Sequence, residues 1–118
     1  MEQGFSLASE RRDDCLVVAT TGYINAAGGE AIAAEFQKHF EQGVRKMVID
    51  LAGSKVVNSI GISFLIEIID QLNDANGRLA FANVDPAVYK MLDIMGLFRF
   101  AGRAQSVADA VTSLKKQA

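Results

Sequence analysis

The sequence has one cysteine, one histidine, one proline and no tryptophan. A lone cysteine, Cys15, excludes a disulfide within the chain, which suits a reducing compartment. The lone histidine, His39, has Lys38 and Glu41 close by and no second histidine, cysteine or carboxylate pair at ligand spacing. It reads as a surface residue and not as a metal ligand. No Ser/His/Asp arrangement is present either, so no catalytic centre, metal or cofactor is expected. No run approaches the roughly 18 to 20 continuous apolar residues of a membrane span. The opening MEQGFSLASERRDD lacks the apolar core of a signal peptide. Charge of one sign is also missing. Twelve basic residues face fourteen acidic ones, for a net charge of −2, and Arg11-Arg12 is followed at once by Asp13-Asp14. No strong field points to nucleic acid or an anionic membrane surface. The expectation is a soluble, cytoplasmic protein that neither binds nucleic acid nor inserts into a membrane.

What the chain does have is apolar content: half of its 118 residues are hydrophobic, enough for one domain over residues 1–118 with an adequate core. Phe5 to Glu10 alternates weakly and predicts an edge strand, with Arg11 to Asp14 turning the chain. Cys15 to Thr21 is rich in β-branched residues and predicts the partner strand of a hairpin. Asn25 is a plausible N-cap for a helix over about Ala26–Gln42, with Ile32, Phe36 and Phe40 on one stripe. Gly28-Gly29 in its first turn would weaken the helix, which suggests a frayed start or a close approach by another backbone. Later, Arg78–Val84 reads as a strand, and Pro86 opens a helix carrying Val88, Met91, Leu92 and Met95. The two methionines read as core filler. Phe98–Ala101 predicts a short last strand. Ser106 caps a terminal helix that ends in Lys115-Lys116. The pattern β-β-α-β-α-β-α-β-α predicts an α/β fold with a mixed sheet of about five strands and about four helices.

The remainder is organised around Lys46 to Ala75. Met47-Val48-Ile49 with Asp50-Leu51 is a buried-strand pattern. A polar connection and the pair Val56-Val57 follow, then Asn58-Ser59-Ile60-Gly61. From there Ile62, Leu65, Ile66, Ile69 and Leu72 recur at helical spacing. Asn58 and Ser59 therefore fall where a helix begins, with unpaired N–H groups and a positive dipole end. They can cap that end, and the same end also accommodates a phosphate on Ser59. Ile60, Phe64 and Ile68 form a second apolar stripe at i, i+4 and i+8. Such a stripe is either covered by a neighbouring helix or left for a partner.

These residues carry a resemblance. Asp50-Leu51, then Val56-Val57-Asn58-Ser59-Ile60-Gly61-Ile62, resembles the central segment of STAS domains, the family that includes anti-sigma-factor antagonists. Thr21-Gly22-Tyr23-Ile24-Asn25 falls where that family has Gly-Glu-Leu-Asp, and Asn83 through Leu97 resembles its later half. The resemblance implies a regulatory binding protein, not an enzyme. Its partner would be an anti-sigma factor that is also a serine kinase, and Ser59 would accept the phosphate. Asn25, Asn58, Ser59, Ile60, Gly61, Phe64 and Ile68 are then the expected partner-binding residues. The chain departs from the family pattern at Tyr23, Asn25, Asn58 and Ile60, which replace acidic or hydroxyl residues. Those departures leave room for a second reading: a STAS scaffold that binds constitutively, in a stressosome-like or lipid-transport assembly.

Overall fold

The computed structural model describes residues 4–115. Its first two strands, β1 (Ser6–Arg12) and β2 (Cys15–Thr21), form an antiparallel hairpin. β3 (Lys46–Gly53), β4 (Arg78–Ala82) and β5 (Gly102–Ala104) then add in parallel, in the sheet order β1-β2-β3-β4-β5. Four helices connect or follow these strands: α1 (Ala26–Phe40), α2 (Ser59–Asp74), α3 (Pro86–Ile94) and α4 (Val107–Lys115). This is the expected mixed five-stranded sheet with four helices.

Strand alternation decides which helix meets which face. Leu16, Val18, Met47, Ile49, Leu79 and Phe81 point to one side, where Ile32 and Phe36 of α1, Leu65 and Leu72 of α2, and Val88 and Leu92 of α3 pack against them. The register places Val18, Ile49 and Phe81 in one row across the sheet. Cys15, Val17, Val48 and Ala80 point to the other side, where α4 supplies Ala110, Val111 and Leu114. Three helices thus share the larger core and one closes the smaller.

Several boundaries differ from the sequence expectation. β1 runs on through Arg11 and Arg12, and only Asp13-Asp14 make the turn, Asp13 at φ 55°. The two arginines extend the strand because Arg11 lies over α1. Its Nε donates to His39 Nδ1 (3.0 Å) and its Nη2 to Gln42 Oε1 (2.8 Å). His39 is accordingly not a free surface side chain, since its Nε2 also pairs with Glu35 at 3.0 Å. The last strand is not Phe98–Ala101. Leu97–Arg99 is a 3-10 turn, and the strand begins at Gly102. Leu97 is buried and Phe98 stacks on Tyr89 (centroids 4.9 Å), so these residues reach the core from a turn. Met95 is 39% exposed and so is not the core filler expected of it. Lys116, expected in the last turn of α4, lies outside the described residues.

Candidate functional site

The site forms where two chain segments run side by side and then both turn into helices. After Gly22 (φ 102°), Tyr23-Ile24-Asn25 lies parallel to Val56-Val57-Asn58. Ile24 N–H donates to Val56 O (3.0 Å), and Asn58 N–H donates to Ile24 O (3.1 Å). Each segment ends in an asparagine cap. Asn25 Oδ1 accepts from Gly28 N–H (3.0 Å) at the start of α1, and Asn58 Oδ1 accepts from Gly61 N–H (2.8 Å) at the start of α2. Two positive helix ends therefore open side by side, each with a first-turn donor satisfied.

Glycines make this approach feasible. A Cβ on Gly61 would sit 2.2 Å from Ile24 O, and one on Gly29 would sit 3.0 Å from Gly61 O and 2.7 Å from the Phe64 ring. The Gly28-Gly29 pair thus marks close helix contact, one of the two meanings its position allowed. A buried hydroxyl pair braces the loop from behind, with Thr20 Oγ1 and Ser54 Oγ 2.7 Å apart.

Ser59 is the first residue of α2 and is exposed to solvent. The side chains around it are mostly apolar and uncharged. Ile60 and Val56 are each 55% exposed and Tyr23 is 40% exposed, while Asn25 and Asn58 are half-buried. The nearest cation in sequence, Lys55, is engaged by Asp85 at 3.7 Å.

Of the predicted site residues, Asn25, Asn58, Ser59, Ile60 and Gly61 come together here. The stripe predicted through Ile60, Phe64 and Ile68 does not survive as one surface. Ile68 is 2% exposed and belongs to the core, and Phe64 is half-buried against Gly29. α1 covers both, because glycine lets the two helices approach so closely; Ile60 alone remains outside. Gly61 is buried and contributes spacing, not a contact surface. Tyr23 and Val56 join the site although neither was among the expected partner-binding residues. The extended backbone sends neighbouring side chains to opposite sides, so Val56 faces solvent while Val57 packs against the core.

Titration is perturbed elsewhere in the fold. A hydrogen bond from Lys46 holds Asp14 below its ordinary range, and burial pushes the Cys15 thiol up. Glu35 on α1 is held low, chiefly by the hydrogen bond that Ser9 donates. Among the described residues no group of three or more His, Cys, Asp or Glu could hold a metal ion. Nor is any described helix long and apolar enough to cross a membrane. The chemistry on offer at this site is therefore that of an accessible hydroxyl set in an apolar rim at a helix start.

The family model of the STAS domain matches residues 6–110. A provisionally named anti-sigma factor antagonist, BtrV of Bordetella bronchiseptica, is 26% identical over 109 residues, 92% of this chain and 94% of that protein. Among solved structures, a provisionally assigned anti-sigma factor antagonist from Thermotoga maritima superimposes with a TM-score of 0.86 at 14% identity, covering 93% of this chain and 95% of that one. The phosphorylated form of the Bacillus cell fate determinant SpoIIAA superimposes with a TM-score of 0.73 at 18% identity, covering 92% and 98%. At these identities the two structures speak for the fold.

Proposed function

Because this chain belongs to the STAS domain family, we propose that it is a cytoplasmic anti-sigma-factor antagonist whose binding is switched at Ser59. The partner is an anti-sigma factor that is also a serine kinase. The unmodified protein docks on it through the surface around Ser59, and the kinase ends that docking by phosphorylating the serine. One observation supports this reading above the others: Ser59 is exposed at the start of α2, bordered by the exposed side chains of Tyr23, Val56 and Ile60.

The switch follows from local physics. A phosphate adds about −1.5 to −2 charges and a firmly held water shell. The two adjoining helix starts tolerate that charge, so the fold need not change. A partner covering Ile60 and Val56 has to strip the shell, which opposes docking. Incubation of the protein with the kinase-type anti-sigma factor encoded in the same genome, plus ATP, should place one phosphate on Ser59. Ser59→Asp should then lower affinity for that factor at least tenfold, while Ser59→Ala binds as the parent does. Phosphate on Ser106 or Ser54 instead would contradict the proposal.

The uncharged rim favours one alternative. Tyr23, Asn25, Asn58 and Ile60 stand where the family pattern carries acidic or hydroxyl groups, so a kinase that reads an acidic rim has little to grip. In that case the domain is a constitutive scaffold and Ser59 a direct contact. Equal behaviour of the Ala and Asp variants would select it.

A further inference from the structure

A cluster of titratable side chains lies at the end of the strands away from Ser59, where the last residues of β1 cross α1. Strand alternation sends Ser9 and Arg11 toward α1, while Glu10 and Arg12 pair with each other on the opposite face (2.9 Å). Glu35 and His39, one helical turn apart on α1, and Gln42 just beyond its end meet them. Ser9 Oγ donates to Glu35 Oε2 (2.6 Å), and His39 Nε2 meets the same oxygen (3.0 Å). The Arg11 fork takes His39 Nδ1 with Nε (3.0 Å) and Gln42 Oε1 with Nη2 (2.8 Å). We propose that this cluster is an acid-sensitive latch: neutral His39 ties the end of β1 to α1 through Arg11, and a second proton on the ring releases Arg11. The latch does not depend on the reading of Ser59.

The bonding fixes the tautomer. A guanidinium carries N–H donors and no acceptor. His39 Nδ1 therefore accepts from Arg11 and holds no hydrogen. The single hydrogen of the neutral ring sits on Nε2 and is donated to Glu35. A second proton can go only to Nδ1, the atom that faces Arg11. Once it is there, donor meets donor and two positive charges stand in contact. One of the two groups has to leave.

Arg11 is the group that leaves. The charged ring keeps Glu35, and that bond then has an ion on each side. The ring also lies in the last turn of α1, where a cation suits the negative helix end. The side chains of His39 and Glu35 are 14% and 18% exposed, so water competes weakly for their contact. Arg11 is exposed and retains only Gln42. The neighbouring charges are committed elsewhere. Lys38 lies 3.7 Å from the other Glu35 oxygen, and Arg45 is turned to the Phe40 ring and to the carbonyls of Phe40 and Val44. Asp13 and Asp14 of the hairpin turn are engaged by Lys115 and Lys46. Among the described residues no carboxylate pairs with Arg11, so nothing offsets the repulsion. Imidazole in ordinary surroundings takes up its second proton between about pH 5 and 8. Over that range Glu35, held below its ordinary value of 4.5, stays ionised and keeps Ser9. The β1–β2 ladder stays as well, so what opens is the Arg11 tie alone.

The chain has a single histidine, so its imidazole nitrogens stand out in a spectrum without further assignment. Nitrogen-15 NMR of the whole chain from about pH 8 to 5 tests the latch. At the upper end Nδ1 should be bare and Nε2 should carry the hydrogen. As the ring charges, the order parameter of Arg11 Nε should fall into the flexible range, below about 0.6, with the same midpoint as the ring. In His39→Gln, which takes up no proton, Arg11 Nε should keep one order parameter throughout. A hydrogen on Nδ1 of the neutral ring would overturn the proposal, and so would an Arg11 Nε that stays rigid beside the charged ring. Loosening with pH in His39→Gln as well would place the switch on another group and overturn it too.

Discussion

Gly61 shows how one missing side chain sets the geometry of the acceptor serine. α2 begins against the backbone of Ile24, and the space for a Cβ at position 61 is already taken by the Ile24 carbonyl, 2.2 Å away. In a free helix alanine would be the better residue by about 1 kcal/mol. Here it forces backbone against backbone, and no flexible side chain can yield. Gly61→Ala should therefore destabilise the protein by roughly 1 to 3 kcal/mol, as overpacking does. Thermal or denaturant melting measures this, and a gain in stability would show that the two segments are not held so tightly. The caps at Asn25 and Asn58 were legible in the sequence because they precede apolar helical patterns. Exposure of Tyr23 and Val56 was not, because it depends on which segment lies beside which.

Between elements, the informative contact is that of β1 with α1. Glu35 accepts a hydrogen bond from Ser9 of β1 (2.6 Å) and pairs with His39 (3.0 Å), to which Arg11 of β1 donates in turn. Sequence periodicity could not reveal this network, since its members stand 26 and 28 residues apart. Its titration has a definite sign. The folded state holds the Glu35 carboxyl below its ordinary value of 4.5, chiefly through the Ser9 hydrogen bond. Its stabilisation is therefore present above that value and fades as pH falls through the lowered one. Glu35→Gln should be less stable than the parent at pH near 7 by about 1.5 to 3 kcal/mol, the worth of a hydrogen bond to a charged group. The gap should narrow as pH drops below 4.5. Melting curves across that range check it, and a gap independent of pH would mean that the charge plays no part. Helix spacing failed at Phe64 and Ile68 for a related reason. It fixes which residues share a face but not which neighbour covers that face, and α1 takes both.

For the molecule as a whole, the sheet order follows the chain order, so the loop after β2 and the loop after β3 emerge at the same end of neighbouring parallel strands. That topology brings Tyr23 and Val56 to Ser59; strand–helix alternation in the sequence predicts the parallel pairing but not which strands are neighbours. The last strand was misplaced because Phe98 and Phe100 imitate strand alternation, while the core takes up Leu97 and Phe98 from a turn. With α4 closing the opposite face, the start of α2 is the place where apolar side chains and an accessible hydroxyl coincide. Hydrogen–deuterium exchange of the protein, alone and bound to its kinase-type anti-sigma factor, tests that claim most directly. Protection should concentrate at residues 22–26 and 55–60 and leave α4 unchanged. Protection centred on α4, with those two segments exchanging as in the free protein, would contradict the account.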